Sequence, residues 1–158
     1  MVSVASLPMI SNRILALFLC ALLAHGVSVA QQAPQAALRT TQLTTGIHVI
    51  TAEVAATPQS RMIGLMMRER LAPNHGMVFV FEDKSQHCFW MRNTPLPLSI
   101  AFIDDDGTVV NVADMAPKSD ASTCPQRPVR YALEMEQGWF AKRGVTAGKK
   151  ITGLPASR

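Results

Sequence analysis

Three adjacent polar side chains at the end of an apolar run are the residues whose types and spacing best suit ligand binding. Arg92, Asn93 and Thr94 follow the Cys-Phe-Trp-Met run of residues 88–91 and precede a rigid Pro-Leu-Pro segment. Strand ends followed by stiff loops are places where a scaffold presents polar groups to a ligand. Trp90 adds an aromatic surface. Alternatively, Asn93 and Thr94 satisfy the backbone of a turn.

Glu134 is a second candidate because it interrupts an otherwise apolar, strand-like run. A carboxylate in such a run either faces solvent or needs a partner, and burial would perturb its pKa. It is therefore a candidate for acid–base catalysis or ligand binding. Two nearby aromatic residues, Tyr131 and Trp139, could line its pocket. The structural alternative is an ion pair of Arg92 with Glu134 or Glu136.

Cys88 and Cys124 are the cysteines that remain after the first thirty residues. An even pair in an oxidising compartment predicts a disulfide bond, with free thiols, metal binding and redox chemistry as alternatives. A nucleophilic cysteine needs a nearby base, and His87 is adjacent in sequence. Neighbouring residues on a strand point to opposite faces, which disfavours a Cys–His dyad.

Soft ligands are numerous enough to raise the question of copper, because residues 31–158 contain seven methionines, three histidines and two cysteines. Most of these methionines lie in apolar stripes or runs, where methionine usually fills a core. The acidic run from Asp104 to Asp106 lacks the alternating oxygen ligands and distant glutamate of a calcium loop. We predict no metal site and no cofactor.

The first part of the domain reads as two strands followed by a helix. Residues 43–54 alternate around Gly46, which predicts two short strands joined at a turn. Thr57 is a suitable N-cap and Pro58 suits the first helical position, so we expect a helix from Pro58 to about Arg70. The apolar stripe of this helix consists of Met62, Leu65 and Met66.

The second part reads as a series of short strands. The β-like runs cover residues 77–81, 88–91, 98–103, 108–112 and 129–135. Asp106 and Gly107 between two of them favour a hairpin turn. A single helical turn is expected over residues 138–143 and a closing strand over residues 148–152. This pattern predicts a mainly β fold with a minor α component, an antiparallel sandwich or partly open barrel with one packed helix.

The first thirty residues have the organisation of a secretory signal. An apolar run of about ten residues follows Arg13 and leads to the small residues Ser28 and Ala30, which predicts cleavage before Gln31. The run is too short to span a bilayer. Leucine precedes Cys20 within the run, which disfavours lipidation. We therefore predict an exported protein, periplasmic or secreted, with no membrane span after signal removal.

Residues 31–38 are small and polar, which predicts a flexible lead-in to one domain over residues 39–158. The formal net charge of +4 falls to +3 when Arg13 is removed. The basic residues are dispersed and do not interleave with aromatic ones. The sequence therefore does not favour a nucleic-acid partner.

Several short motifs occur in a fixed order between residues 47 and 152. They are Thr57-Pro58 with Arg61, Gly64-Leu65-Met66-Met67-Arg68, Gly76-Met77-Val78-Phe79, Phe89-Trp90-Met91-Arg92-Asn93-Thr94 with Pro97-Leu98, Phe102-Ile103-Asp104 with Gly107, and Tyr131-Ala132-Leu133-Glu134 with Gly138-Trp139. In these motifs the chain resembles the DUF192 family. The resemblance implies a compact β-rich fold, often exported, and no established activity. Ser99 departs from the family pattern, which usually has aspartate there.

Two functions are compatible with these observations. The first is a non-catalytic exported module that binds a small molecule, a glycan or another envelope protein, since no nucleophile–base–orienter set can be assembled from the sequence. The second is a hydrolase- or lyase-type enzyme that uses Glu134 as general acid or base, with Arg92 and Asn93 stabilising negative charge. The enzyme requires these three side chains to converge in one pocket.

Overall fold

The computed structural model describes residues 33–156, so the predicted signal peptide lies outside the described residues. The domain begins with an antiparallel hairpin formed by β1 (Thr40–Thr45) and β2 (His48–Ala55). Gly46 has a φ of 55° in the connecting turn, a conformation that glycine adopts without steric cost. The predicted pair of strands is confirmed. Gln35, in the predicted lead-in, donates hydrogen bonds to the Ser60 and Gly64 carbonyls.

The helix α1 (Pro58–Ile63) begins where the sequence predicted and ends earlier. The Thr57 side chain accepts a hydrogen bond from the backbone N–H of Ser60, which completes a capping box. Gly64 leaves helical geometry at a φ of 52°, so the predicted continuation to Arg70 is wrong. The predicted stripe is also wrong at Met62, which is 69% exposed.

The remaining elements complete one six-stranded sheet. They are β3 (His75–Ser85), β4 (Leu98–Ile103), β5 (Val109–Met115), β6 (Val129–Glu136) and a short helix α2 (Trp139–Lys142). The strand order is β1-β2-β3-β6-β4-β5, with β2 and β3 parallel and the other neighbours antiparallel. The predicted mainly β class with a packed helix is confirmed, and the sheet does not close into a barrel. The predicted strands at residues 88–91 and 148–152 contribute only isolated bridges.

The two faces of the sheet carry separate apolar clusters. One, which we call the pocket face, includes Met77, Phe79, Ile100 and Ala132. The other, the back face, includes Val78, Val80, Leu133 and Met135, with Phe140 of α2 packed against it. Successive residues of a strand alternate between faces, and directly paired residues share one. Because Glu134 pairs with Met77 on β3 and with Ile100 on β4, its side chain belongs to the pocket face.

The β4–β5 hairpin carries the acidic run, as the Asp-Gly signal predicted. Gly107 adopts a φ of 82° in the turn. Each aspartate has a basic partner: Asp104 contacts Lys84 and Arg127, Asp105 contacts Lys84 and Arg130, and Asp106 contacts Lys150. The hydrogen bonds from Lys84 and Arg127 hold the pKa of Asp104 well below its usual range. Lys150 and Thr108 do the same for the pKa of Asp106.

Candidate functional site

A pocket of about 620 Å³ opens on the pocket face of the sheet. One wall is formed by α1 and the residues that follow it, including Leu65 and Met66. Phe79 and Phe81 of β3 form part of the floor, and residues 86–90 form the opposite wall. The parallel connection from β2 through α1 to β3 explains this arrangement, because it carries the helical segment across one face of the sheet.

Glu134 lines this pocket from the central strand β6. Its side chain lies among apolar groups and the residue is only 5% exposed. Within residues 33–156 its carboxyl group makes no hydrogen bond and no ion pair, although its main chain is paired on both sides. Burial raises the pKa of Glu134 to about 8, since desolvation disfavours the ionised form.

Thr94 contributes a second buried polar side chain to the same pocket. The residue is 5% exposed. Its backbone is fully used, because its N–H donates to the Met91 carbonyl and its own carbonyl accepts from Lys118. The hydroxyl has no hydrogen-bond partner in the described part of the chain. The pocket therefore contains two polar side chains that this part of the protein leaves unsatisfied.

Aromatic rings cover much of the remaining surface. Phe89 meets Phe79 edge to face at 4.9 Å between ring centroids, and His87 stacks on Phe81 at 3.5 Å. Trp90 lines the pocket and is 40% exposed, so part of its ring faces solvent. Edge-to-face and stacked pairs of this kind fix ring orientations beyond what apolar burial alone does. The walls are therefore apolar and well defined.

Arg61 is the cation that α1 contributes to the pocket lining. Its Nη1 donates to the carbonyls of Ala56 and Val80, each at 2.8 Å. Its guanidinium also lies 5.2 Å from the centroid of the Phe81 ring. These contacts fix the orientation of the side chain, and they join α1 to β3 and to the residue that follows β2.

The wall formed by residues 86–90 is tied to a loop that begins beyond β5. Cys88 and Cys124 lie at bonding distance, with Sγ atoms 2.13 Å apart, in agreement with the predicted disulfide. Phe89 and Thr123 exchange two backbone hydrogen bonds of 2.8 Å. The Met91 N–H donates to the Ser119 carbonyl. A segment without its own strand ladder is thereby held in place by covalent and backbone contacts.

The structure brings together three of the five predicted ligand-binding residues. Trp90, Thr94 and Glu134 line the pocket, whereas Arg92 and Asn93 do not. Arg92 lies at the surface, where its Nε donates to Asp120 at 2.6 Å; the alternative pairing with Glu134 or Glu136 is therefore wrong.

Asn93 acts on the pocket through its neighbours. Its Nδ2 contacts the Met66 sulfur at 3.9 Å, and its carbonyl accepts from the Met67 N–H at 2.8 Å. Met67 has a φ of 60°, an uncommon conformation for a side chain of this type. Asn93 therefore supports the chain reversal that directs Met66 into the pocket wall.

The arrangement does not support the enzyme hypothesis, which required Glu134, Arg92 and Asn93 to converge. Cys88 and His87 both line the pocket, because residues 86–91 do not form the regular strand that would separate them. The disulfide nevertheless removes Cys88 as a nucleophile.

Tyr131 and Trp139 do not line the pocket, contrary to the expectation, because both belong to the back-face cluster. Ser99 is also on that side, where its hydroxyl contacts Asp114 at 2.5 Å and accepts from the Gly138 N–H. The departure from the family pattern therefore lies away from the pocket.

Sequence reasoning missed Arg61, Phe79 and Phe81 as pocket residues. The period-two alternation of β3 places both phenylalanines on one face, but the face that holds Glu134 depends on the β3–β6 register. No local sequence signal gives that register, because β3 and β6 are separated by more than forty residues.

Between residues 33 and 156, no group of three or more His, Cys, Asp or Glu side chains is arranged to hold a metal ion. In the same part of the chain, no helix has the length and apolar character needed to cross a membrane.

Together, the mixed sheet and its pocket define a small β-rich domain with a pocket on one face of the sheet. The family model of DUF192, described as an uncharacterised ACR, matches residues 40–153. The chain therefore belongs to the DUF192 family. No curated protein matches the sequence.

Two solved structures are similar to this chain. A proposed transcription regulator from Sinorhizobium meliloti 1021 is 35% identical with a TM-score of 0.71, and the match covers 75% of this chain and 97% of that one. A protein of unknown function from Novosphingobium aromaticivorans DSM 12444 is 33% identical with a TM-score of 0.71, covering 76% and 89% respectively.

Proposed function

We propose that this protein is an exported, non-catalytic module that binds a small organic molecule in the pocket of the sheet. The observation that carries the proposal is the carboxyl group of Glu134, which is buried at the pocket surface with no partner in residues 33–156. The Glu134 oxygens are not among the fully enclosed unpartnered atoms of the described residues, so they are accessible from the pocket. A ligand that donates hydrogen bonds to them compensates for the solvation that the carboxyl group loses in apolar surroundings.

A structural explanation of Glu134 has little support. The residue lies between Met77 and Ile100 on an apolar face, where an apolar side chain would pack without the desolvation cost. Its position in a pocket rather than in the closed core gives a ligand access to it. A buried group with a perturbed pKa in a cleft is a site candidate on general grounds.

Small-molecule binding agrees with the pocket better than binding of a nucleic acid. Six of the thirteen basic side chains in residues 33–156 form ion pairs with carboxylates, which reduces the positive surface offered to phosphates. These basic residues are Arg68, Lys84, Arg92, Arg127, Arg130 and Lys150. The description of the Sinorhizobium protein as a proposed transcription regulator therefore gains no support from this surface.

Export is part of the proposal and has two supports. The sequence of residues 1–30 has the organisation of a signal peptide. The Cys88–Cys124 disulfide is the kind of bond that persists in the periplasm or outside the cell. Measuring the intact mass of the protein recovered from a periplasmic extract tests cleavage before Gln31. A product that retains Cys20 would contradict it.

The binding proposal is tested by a thermal-shift screen of the oxidised protein against a library of small organic molecules. A ligand that binds the native state raises the free energy of unfolding by RT ln(1 + [L]/Kd). Each compound that raises the melting temperature is then measured against Glu134→Gln and Glu136→Gln. Glu136 is the matched control, because it is exposed two residues further along the same strand.

We expect true ligands to stabilise the wild type and Glu136→Gln, and to lose most of this effect in Glu134→Gln. A second pair, Trp90→Ala with Ile47→Ala as control, should show the same contrast, since Ile47 is exposed at the β1–β2 turn. Compounds that stabilise all variants equally bind elsewhere. If the whole library behaves in that way, or nothing binds, the proposal is wrong.

A further inference from the structure

We propose that the ligand of this pocket is an organic ammonium ion with an apolar body, whose charged group is held by the Glu134 carboxylate and the Thr94 hydroxyl. This inference rests on the proposed function and specifies its chemical class. The observation that carries it is that two largely buried residues with oxygen-bearing side chains, Glu134 and Thr94, line one pocket with aromatic and aliphatic walls, and neither side chain forms a hydrogen bond within residues 33–156.

The hydrogen-bonding capacity of the two groups determines what can satisfy them. An ionised carboxylate only accepts hydrogen bonds, and a hydroxyl accepts through two lone pairs. Neither the Glu134 carboxyl nor the Thr94 hydroxyl has a donor in the described part of the chain. An ammonium group brings two or three N–H donors and a positive charge, so it satisfies the oxygens and removes the cost of the buried negative charge.

The walls suit the apolar body of such a ligand. Phe79 and Phe89 lie edge to face, and Leu65 and Met66 close the side toward α1. The negative faces of aromatic rings attract cations, and this attraction is largest where water is excluded. The same walls offer no compensation to a ligand carboxylate placed beside Glu134, which would add a second negative charge to an apolar environment.

The other ionisable groups of the pocket have partners of their own. Asp83 and His87 contact each other, with the His87 Nε2 3.9 Å from the Asp83 Oδ1, and His87 stacks on Phe81. From the remaining adjacent strand, β4, no charged side chain is available, since Leu98–Ile103 reads LSIAFI. Asp83 and His87 are thus paired with each other, and neither provides a positive charge opposite Glu134.

Arg61 is the one fixed positive charge in the pocket lining, and its position leaves room for a cation at Glu134. Its guanidinium is bonded to the carbonyl of Val80, three residues along β3 from Met77, the partner of Glu134. Three residues of a strand span about 10 Å. Because the interaction of two charges falls with distance, Arg61 acts much less on an ammonium at Glu134 than the contacting carboxylate does.

Binding of an ammonium ion should also release a proton. Burial raises the pKa of Glu134 to about 8, so the free protein holds this carboxyl mainly protonated at pH 7. An ammonium in contact favours the carboxylate and lowers the pKa of Glu134. The carboxyl O–H bond then breaks, the proton passes to the buffer, and the ammonium keeps its own protons.

The test compares three probes of similar shape that differ in their charged end: 2-phenylethylamine, 2-phenylethanol and phenylacetate. Binding is measured by titration calorimetry to the oxidised protein at pH 7. The amine titration is repeated in phosphate and Tris, whose different ionisation enthalpies report proton release. We expect the amine to bind roughly tenfold or more tightly than the alcohol, a difference of about 1.4 kcal/mol, and phenylacetate to bind most weakly.

Variants of Glu134 and Thr94 test whether their side-chain oxygens cause the preference for the amine. In Glu134→Gln, the affinity for the amine should fall to that for the alcohol, and proton release should disappear. Glu136→Gln should behave as the wild type in both measurements. Thr94→Val should reduce amine affinity and leave proton release intact. Unfolding curves of each variant establish that it is folded at the temperature of the titration.

Each other outcome overturns the inference in a recognisable way. If the alcohol or phenylacetate binds tighter than the amine and Glu134→Gln weakens it, the pocket is a ligand site and the ammonium class is wrong. If the amine is preferred equally by Glu134→Gln, the cation is held elsewhere. If none of the three binds, the ammonium class is wrong, and the library screen decides whether the proposed function fails with it.

Discussion

The pocket and the β4–β5 hairpin treat carboxyl groups in opposite ways. At the hairpin, Asp104 and Asp106 are solvent-accessible and paired with basic side chains, which lowers the pKa of each. In the pocket, Glu134 is buried without a partner in the described residues, which raises its pKa. A carboxylate that is paired with basic side chains stabilises the fold. A carboxyl group without such a partner can still form hydrogen bonds or an ion pair with another molecule.

The same difference distinguishes a run of acidic residues from an acidic residue within an apolar strand as an indication of a functional site. The run of three aspartates is the more conspicuous feature of the sequence, and its partners come from three distant segments of the chain. Glu134 lies in the mostly apolar part of β6, and its carboxyl group has no such partners within residues 33–156. The isolated carboxyl group is therefore the better indication of a site, because its burial has no structural compensation.

The largest expected effect is the contribution of Glu134 to the pH dependence of the free energy of unfolding. Because its pKa is raised from 4.5 to about 8, the unfolded chain releases this proton at lower pH than the native protein. The free energy of unfolding should therefore fall between pH 4.5 and 8, by up to about 1.4 kcal/mol per pH unit. Relative to the wild type, Glu134→Gln should be more stable at the alkaline end, on the order of 4 kcal/mol.

Urea unfolding across this pH range measures the effect, and the difference between wild type and Glu134→Gln isolates it from other titrating groups. Glu136→Gln should give a curve parallel to that of the wild type. Parallel curves for Glu134→Gln as well would mean that this carboxyl group titrates normally. The contrast with the hairpin would then disappear.

Opening the disulfide, which holds the pocket wall of residues 86–90, is expected to have the next largest effect on the free energy of unfolding. Cys88 and Cys124 are separated by 36 residues in sequence. In the chain-entropy model, opening a loop of that length lowers the free energy of unfolding by about 4 kcal/mol, less any strain relieved. Urea unfolding with and without reductant measures this. Two cysteines that alkylate in the native, unreduced protein would show that no bond is present.

The hairpin should respond to pH with the opposite sign. Lys84 and Arg127 lower the pKa of Asp104, so its stabilising contribution is present above the unfolded pKa of 3.8 and is lost as the pH falls through the native value. We expect Asp104→Asn to cost about 1 kcal/mol at neutral pH and less in acid or high salt. Unfolding curves at two salt concentrations test this. A cost that grows in acid would contradict the pairing.

Arg92→Ala should have the smallest effect. Arg92 pairs with Asp120 at the surface and lies 5.0 Å from the Trp90 ring. Exposed pairs of this kind contribute about 0–1 kcal/mol. Because Arg92 does not line the pocket, amine affinity should change less than twofold relative to wild type, in contrast to Glu134→Gln. A loss of binding as large as that of Glu134→Gln would extend the site to this surface.

Local sequence signals predicted the elements that depend on neighbouring residues. The Thr57–Pro58 helix start, the turn at Gly46 and the Asp106-Gly107 hairpin are each specified by the chemistry of a few adjacent residues, and each is present. The end of α1 was not predicted, because Leu65 and Met66 continue a helical pattern. Their actual place in the pocket wall depends on Gly64 and on the conformation of Met67.

The composition of the site was only partly predictable. Glu134 was identified because a charged residue in an apolar strand needs an explanation wherever that strand lies. Arg92 and Asn93 were grouped with it because their side chains follow a strand-like run, but residues 88–91 form only one bridge to a loop. The pocket is assembled from contacts between distant segments, which single-sequence patterns do not encode.

The position of β6 also determines when the domain can fold. β6 lies between β3 and β4, although it is the last of the strands in residues 33–156. Until residues 129–136 have been synthesised, β1-β2-β3 and β4-β5 are two partial sheets with open inner edges. Non-local closure of this kind is slow, because a long loop must be ordered before its contacts form. The side of the pocket that β6 contributes through Glu134 therefore closes last.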